Sequence, residues 1–384
     1  MAFHMLASTR EILDGDVTVF PVASVFYRGV PTVWRLPVTG LEWSSELADQ
    51  VVRHTATLTV SDDEGRLTPI RSTDPLAPFG AQVKVSVRVA APGHSADGEV
   101  IPVGLMLIVA SEPTGGWRLH RGVIEPTGGL ITLSLQDLAQ DLVDVETPTM
   151  IQPASTSAAN LLARVCSGIL PINLSGIPSS MPPVDTAMTV PNNRMEALKA
   201  IIEGSTVNAR VTRSGVLEFF TLPTVVSKTV TLAEGTWINA LAKLDRDDIS
   251  NAVIATSDAS ENPATGIAYE QTGPFATWGP LGTRITRISS PKYSTTALAA
   301  QAAANKLAAL KAERAITVEA TVPFDPTVDA GDLHRVSLIP GQLDTNARVT
   351  RVQWTAGDPA MTLTYSIDRN EVDAWLRPID WQPE

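Results

Sequence analysis

Three aspartates lie within four positions of the segment LDRDDISNAVIATSD, residues 244–258. Carboxylates this close together, Asp245, Asp247 and Asp248, are candidates for a Ca²⁺ loop or for acid–base catalysis. An EF-hand loop needs oxygen ligands at its first, third and fifth positions, Gly at the sixth and Glu at the twelfth. Counted from Asp245, the fifth, sixth and twelfth positions hold isoleucine, serine and threonine. The spacing therefore predicts an acidic turn that leads into a strand beginning at about Asn251.

The segment PGHSADGE, residues 92–99, resembles a nucleophile elbow, because His94, Ser95 and Asp97 fall within four positions. The elbow needs Gly at the second position after the serine, and Asp97 occupies that position. Members of a catalytic triad also converge from separate elements rather than from one short loop. We interpret the segment as a glycine-containing hairpin tip between two strands.

The remaining chemistry-bearing residues form no recognisable set. The chain has five histidines, which are spread along the sequence: His4, His54, His94, His120 and His334. They form no HExxH motif and no paired zinc spacing, and the chain has no P-loop and no GxGxxG. A glycosidase carboxylate pair stays open, since an acidic chain has many carboxylates and none is singled out. We expect no catalytic residue, no metal site and no cofactor.

Composition narrows the classes of partner. Acidic residues outnumber basic residues by 41 to 29, giving a net charge of −12. A protein that neutralises phosphates needs clustered Lys and Arg, so we expect no direct nucleic-acid binding. The most apolar stretch, residues 100–110, is about half the length of a membrane span and contains Pro102 and Gly104. We expect no membrane span and no secretory leader, and an inert buried thiol at the single cysteine, Cys166.

Period-two alternation dominates residues 1–146. In AQVKVSVRVA, residues 81–90, four valines face one way, while Lys84, Ser86 and Arg88 face the other. Turn residues separate this strand pattern from several more of the same kind. We predict an N-terminal β-rich, barrel-like domain.

Residues 147–225 have a different character and predict a small α/β domain. Ser155 or Thr156 can cap a helix that runs to Cys166, and Asn193 to Glu196 has the spacing of a capping box. A hairpin with its turn at Ser214-Gly215 follows.

Strand patterns resume in residues 226–370 and predict a second β-barrel-like domain. One long helix, residues 295–314, interrupts the strands. Its stripe of small and apolar residues is typical of a helix packed closely on a sheet; the stripe consists of Ala300, Ala303, Leu307 and Leu310.

Residues 371–384 follow the last strand as a C-terminal arm. The arm carries four candidate interface residues: Trp375, Leu376, Ile379 and Trp381. Aromatic anchors concentrate at interfaces, so one hypothesis is that the arm docks on a neighbouring subunit. The alternative is that the arm folds back over its own barrel.

Two stretches carry a resemblance to a known family. The first, residues 58–113, has a D-x-x-G-x-L-x-P turn from Asp62 or Asp63 to Pro69, an L-x-P-[FY]-G step at residues 76–80 and a strand from Pro102 to Ile108. This order resembles the N-terminal half of minor tail proteins from long-tailed phages that infect actinobacteria.

The second stretch resembles the C-terminal half of tail hub proteins. It contains an Asn-Ala-Val-Ile strand after the acidic turn, where the family has Asn-Val-[VI], then an Ala-rich helix and a P-x-[LV]-x-x-GD turn, whose residues are Pro326, Val328, Gly331 and Asp332. Gly331 suits a turn that needs a positive φ before a strand.

The resemblance implies a fold that is mainly β with α+β insertions, in which two β-barrel-like domains flank a small α/β domain. It implies a homotrimeric tail-tip or baseplate hub of a non-contractile (siphophage) tail, a structural protein located at the distal end of the virion tail. Its partners would be the distal tail or tail-tube protein, the tape-measure protein and the tail-tip or receptor-binding proteins, and DNA would pass through it. The alternatives are a tail-associated cell-wall hydrolase and a host-glycan-binding module.

Overall fold

The computed structural model describes residues 18–27, 29–91, 98–146, 157–179, 181, 184, 190–203, 205–232, 238–241, 249–257, 264–273, 275–290, 293–313, 316–338 and 343–367. Four predicted features lie outside the described residues: the acidic turn at 245–248, the loop with His94 and Ser95, the caps at Ser155 and Thr156, and the C-terminal arm. The predicted strand after the acidic turn is present and spans Ala252–Thr256.

The described residues are mainly strands, as the sequence predicts. The strands of the N-terminal part are β1 (Thr18–Tyr27), β2 (Val30–Val33), β3 (Val38–Ala48), β4 (Val51–Asp62), β5 (Ala81–Ala90), β6 (Glu99–Pro113), β7 (Trp117–His120), β8 (Val123–Pro126) and β9 (Gly129–Asp137). The next are β10 (Ile172–Asn173), β11 (Val207–Val211), β12 (Leu217–Thr221), β13 (Lys228–Leu232), β14 (Ile238–Leu241), β15 (Ala252–Thr256) and β16 (Thr265–Tyr269). The last are β17 (Ile285–Ser289), β18 (Ile316–Pro323), β19 (Leu333–Leu338), β20 (Leu343–Thr355) and β21 (Ala360–Ile367). The helices are α1 (Gln140–Asp144), α2 (Ala158–Cys166), α3 (Arg194–Ile202) and α4 (Thr296–Glu313).

One continuous sheet joins strands from both ends of the chain. Its order is β14-β18-β21-β20-β3-β4-β9-β6-β5-β1-β2, with β19 and β13 beside β20, and β11, β12 and β10 beside β4. Strand β20 pairs with β19 along Leu343–Arg348 and with β3 along Arg351–Thr355. A register shift between Val349 and Arg351 in the β20–β21 ladder marks the change of partner. The N-terminal and C-terminal strands therefore share a ladder, and the division into two barrels stays a prediction.

Alternation places the N-terminal core as predicted. Val83, Val85, Val87 and Val89 of β5 are fully buried, while Lys84 is exposed. Ser86, which was predicted on the outer face with Lys84 and Arg88, is buried too. The resulting core is continuous with that of the C-terminal strands and includes Leu58, Leu133 and Tyr365.

The middle part of the chain forms a separate core under two capped helices. The Asn193 side chain accepts a hydrogen bond from the Glu196 N–H at 3.1 Å, which confirms the predicted cap of α3. Helix α2 ends at Cys166 as predicted, but Ser157 supplies its cap, one position beyond the predicted Thr156. The Ser157 side-chain oxygen accepts a hydrogen bond from the Asn160 N–H at 3.4 Å. The predicted hairpin is β11–β12, with Gly215 at a φ of 82°.

Helix α4 packs on a three-stranded sheet of order β16-β15-β17, as its small residues predict. The helix begins one residue later than predicted, at Thr296, because the Thr295 hydroxyl accepts a hydrogen bond from the Leu298 N–H and caps it. The buried stripe is Ala299, Ala302, Ala303 and Leu307. Ala303 and Leu307 of the predicted stripe are buried as expected, and Leu310 packs partly buried against the same cluster, whereas Ala300 is only partly buried. Gly266 of β16 permits the close approach, since a Cβ there would lie 2.0 Å from the Ala300 nitrogen.

We predict that Gly266→Ala destabilises the protein by about 3 kcal/mol, the upper part of the range for overpacking, because the new methyl group meets helix backbone. Urea unfolding measures the change. Gly40→Ala is the matched control, since a Cβ at that strand position lies 3.6 Å from its nearest neighbour, Thr59. Equal stability losses in the two variants would contradict the close helix–sheet contact.

Candidate functional site

A buried histidine joins the two ends of the chain. His54 lies on β4, Asp137 ends β9, and Asp329 precedes β19. His54 Nε2 is 3.2 Å from Asp329 Oδ1, and Nδ1 is 3.7 Å from Asp137 Oδ2. The His54 backbone N–H also donates to Asp137 Oδ2 at 2.6 Å. We call these three residues the junction triad.

Neighbouring groups hold both carboxylates of the junction triad. Arg53 Nε lies 3.2 Å from Asp137 Oδ1. The Ser45 hydroxyl on β3 donates to Asp329 Oδ1 at 2.6 Å, and the Ala330 N–H donates to the same oxygen at 2.9 Å. The contacts of Asp329 with Ser45 on β3 and with His54 on β4 therefore connect the C-terminal strands to the N-terminal strands.

The electrostatics favour an ionised triad. Burial opposes charge on His54, but the Asp329 and Asp137 carboxylates outweigh it and raise the pKa of His54 to about 9. Burial likewise opposes charge on Asp329, but His54 and the Ser45 hydroxyl outweigh it and hold the pKa of Asp329 well below its usual range. At neutral pH His54 is thus an imidazolium beside the Asp329 carboxylate.

Aromatic rings extend this contact between the two ends of the chain. Trp43 of β3 is directly opposite Trp354 of β20, and their rings stack with centroids 6.1 Å apart. The Trp43 ring also lies 5.4 Å from the His54 ring, and Phe324 meets Trp354 edge-on at 5.3 Å. Stacked and edge-to-face pairs add stabilisation beyond the area they bury.

A cavity of about 1240 Å³ lies where the three parts of the chain meet. Arg213, at the tip of the β11–β12 hairpin, donates to the Pro102 carbonyl at 3.1 Å and to the Pro326 carbonyl at 2.5 Å. Arg210 pairs with Glu218 at 2.6 Å, and Lys228 pairs with Asp325 at 2.7 Å. These charged groups of the cavity wall therefore bind one another or backbone carbonyls, and they hold the three parts of the chain together at the cavity.

The histidine that lines this cavity is not arranged as a catalytic base. His334 Nδ1 lies 3.1 Å from the Tyr365 hydroxyl, and both groups are buried. Burial, with nearby Lys228, lowers the pKa of His334 to about 4. Burial also raises the pKa of Tyr365. The pair is a neutral hydrogen bond in the core.

A hairpin between β6 and β9 presents an apolar face to solvent. Strand β7 pairs with β8 so that Trp117 faces Pro126 and Leu119 faces Ile124, all on one side of the ribbon. Trp117 is 54% exposed, Leu119 75% and Ile124 65%. We call these four residues the hairpin face.

The other side of the hairpin is polar. Arg118 and His120 both lie within ion-pair distance of Glu125, at 3.3 and 3.4 Å. Val123 shares this side with them and is 59% exposed. A ribbon with one apolar and one ion-paired side is typical of a protein contact surface.

The other sequence candidates that the structure describes have structural roles. Cys166 is buried, and burial raises the pKa of its thiol to about 12, so the thiol is unreactive. Asp62 accepts hydrogen bonds from the Leu67 and Thr68 N–H groups and so shapes the D-x-x-G-x-L-x-P turn. Gly331 has the predicted positive φ, 97°. Trp375, Leu376, Ile379 and Trp381 lie outside the described residues.

Sequence reasoning missed the junction triad and the hairpin face. Asp137 and Asp329 lie 83 and 275 positions from His54, so no local motif links them. Alternation of Trp117 and Leu119 with Arg118 and His120 was the available signal for the hairpin. Within the part of the chain that the structure describes, no group of three or more His, Cys, Asp or Glu side chains is arranged to hold a metal ion. Among the described helices, none has the length and apolarity to cross a membrane.

Comparison with solved structures gives the fold. A tail protein from Neisseria meningitidis MC58 superposes with a TM-score of 0.59 at 14% identity, covering 92% of this chain and 99% of that one. The 43 kDa tail protein of prophage MuSo2 from Shewanella oneidensis gives 0.57 at 13% identity, covering 92% and 99%. The E. coli c3393 protein, a component of the type VI secretion system with structural similarity to phage T4 tail proteins gp27 and gp5, gives 0.52 at 9% identity, covering 90% and 77%.

This chain has the fold of those tail proteins. No family model matches the chain, and no curated protein matches it in sequence. The coarse form of the sequence resemblance, a likeness to phage tail proteins, is confirmed at the level of fold.

We predict that the stability from the junction triad depends on pH in both directions. The pKa of His54 is raised from 6.5, so its contribution is complete below pH 6.5 and is lost as the pH rises through about 9. The pKa of Asp329 is lowered from 3.8, so its contribution is present above that pH and is lost in stronger acid. Asp329→Asn should cost about 3–5 kcal/mol at pH 7, since it leaves a buried cation underpaired.

Urea unfolding at pH 7 and pH 10 measures this effect, and the gap between wild type and Asp329→Asn should shrink at pH 10. His120→Gln is the control, because that histidine pairs with Glu125 at an exposed site; its cost should stay within about 0.5 kcal/mol. A constant gap between pH 7 and pH 10 would contradict an ionised junction.

Proposed function

We propose that this chain is a structural hub subunit at the distal end of a non-contractile phage tail and has no catalytic activity. The observation that carries the proposal is a fold shared along almost the whole length of a tail protein, 99% of that chain. The buried charged groups are consistent with a structural role, because the junction triad and Arg213 connect parts of the chain.

The proposed assembly is a homotrimer in which each subunit supplies two barrel-like domains. Such a ring has threefold symmetry with six similar domains, so it can join a hexameric tail tube to a threefold tip. The partners would be the distal tail or tail-tube protein, the tape-measure protein and the tail-tip or receptor-binding proteins. The non-contractile tail and an actinobacterial host rest on the sequence resemblance alone.

The hairpin face is the described surface that we assign to contacts between subunits. Leu119 and Ile124 are largely exposed side chains on a ribbon whose strands run on from β6 and β9. The Thr127 N–H donates to the Gly116 carbonyl and the Thr114 N–H to the Leu130 carbonyl, both at 2.8 Å, so the base of the hairpin is anchored. An anchored ribbon with an apolar side is preorganised for docking.

The net charge of −12 fits a protein that surrounds a DNA channel. A negative wall repels DNA phosphates and keeps the passing genome from binding. The same charge also serves solubility. Infectivity that is unchanged after lumen-facing acids are replaced by Lys would remove the channel role.

The two alternative functions are a tail-associated cell-wall hydrolase and a host-glycan-binding module. The hydrolase needs an acid–base or nucleophile set, and zymography on peptidoglycan tests for one. The glycan module needs exposed stacking aromatics, which Trp278 at 77% exposure could supply. Binding on a glycan array tests that function.

We predict that the purified chain has a solution mass near three times 40.9 kDa. The double variant Trp117→Ser, Leu119→Ser should weaken the trimer about a hundredfold or more, because it removes two apolar anchors. Light scattering after size exclusion, over a dilution series, measures both.

Val123→Ser is the matched control, since Val123 is equally exposed but lies on the ion-paired side of the same hairpin. Its mass should equal that of wild type. A wild-type monomer at the highest concentration would contradict the trimer, and equal weakening by both changes would contradict the hairpin assignment.

A further inference from the structure

The sheet under α4 has one covered face and one open face. Val253, Ala255 and Ala268 point toward the helix. Pairing across β15 places Tyr269 and Ile285 in one row on the opposite face, and Ile267 in the next row beside Ile254. Ile267 is 46% exposed, Tyr269 48% and Ile285 47%. We call Ile254, Ile267, Tyr269 and Ile285 the open sheet face.

A loop adds a tryptophan at one end of this face. Asn251 receives the Arg284 N–H at 2.7 Å and donates to the Phe275 and Gly282 carbonyls, so it fixes the loop between β16 and β17. The loop holds Trp278, which is 77% exposed and donates from its indole nitrogen to the Gln271 carbonyl at 3.0 Å. The apolar surface is therefore largest at the Tyr269 end.

The described chain ends at Ile367, on a strand whose neighbour in the ladder follows α4. Residue Ile367, the last of β21, pairs with Ile316, which follows α4 by three positions. The end of α4 is itself next to Tyr269, since Lys311 Nζ lies 3.4 Å from Glu270 Oε1. Ile367, where the described chain ends, is therefore connected to the small sheet through Ile316 and the end of α4.

The length of the segment 368–384 is sufficient to reach the open sheet face. Trp375 is eight positions past Ile367, and eight extended residues span up to about 26–29 Å. A helix layer is about 10–12 Å thick, so the segment can pass around the edge of the sheet.

The chemistry of the segment matches the face. Trp375, Leu376, Ile379 and Trp381 supply apolar groups, and the segment has five acidic and two basic residues. The face carries the exposed Arg287 in the same row as Ile267, and Arg284 just precedes β17. Apolar anchors with a surplus of carboxylates fit an apolar patch edged by arginines.

We propose that residues 368–384 dock on the open sheet face of their own chain, with the two tryptophans of the segment covering Tyr269, Ile285 and Ile267. This docking is independent of the tail function, since it depends only on one chain. Of the two hypotheses for the C-terminal arm, the proposal is therefore docking on the same chain and not on a neighbouring subunit.

Cysteine cross-linking in the full chain tests the docking. Ser289→Cys, at the exposed edge of the open sheet face, is combined with Ala374→Cys, and a short bismaleimide joins cysteines that are near each other. The native Cys166 is buried and gives little background. The expected product is an internal cross-link, seen as a faster-migrating monomer and as one linked peptide by mass spectrometry.

Two further variants make the result decisive. Thr39→Cys with Ala374→Cys is the control, because Thr39 is exposed on the N-terminal strands. Adding Ile267→Ser and Ile285→Ser to the Ser289 pair should lower the rate of internal cross-linking about tenfold, since two apolar contacts are lost. Cross-links between chains, or a rate equal to that of the Thr39 control, would overturn the proposal.

Discussion

Strand β20 pairs along one edge with two different strands, first with β19 and then with β3. That change of partner connects the C-terminal strands to the N-terminal sheet, and two further interactions depend on it. The β3–β20 register sets Trp43 against Trp354, and it brings Asp329 to His54. A buried ion pair stabilises only when its geometry is fixed, and the shared ladder supplies that geometry.

The middle part of the chain also contacts both the N-terminal and the C-terminal strands. Strand β11 continues the sheet beside the first residues of β4, at Val51 and Val52, while the rest of β4 pairs with β9. Arg213 then reaches from the β11–β12 hairpin to carbonyls on both β halves. The junction triad and Arg213 thus hold the three parts of the chain in one arrangement.

Local patterns predicted local structure well and distant contacts poorly. The alternation of β5, the Asn193 cap and the positive φ at Gly331 each follow from a few neighbouring residues. Ala303 and Leu307 of α4 are buried as predicted, whereas Ala299 and Ala302 were missed because an almost uniform alanine helix does not single out one face. The His54–Asp329 contact joins residues 275 positions apart, so the residues around neither side chain predict it.

We propose that the chain is located at the distal end of a phage tail. Immunogold labelling tests it most directly: an epitope placed in the exposed Arg121-Gly122 turn of the hairpin would be viewed on intact particles by electron microscopy. A second tag at the exposed Val225 guards against loss of the first by subunit contacts. The account predicts gold at the tail end far from the capsid, with at least one of the two tags. Labelled chain that is absent from particles, or gold along the whole tail or at the capsid, would contradict it.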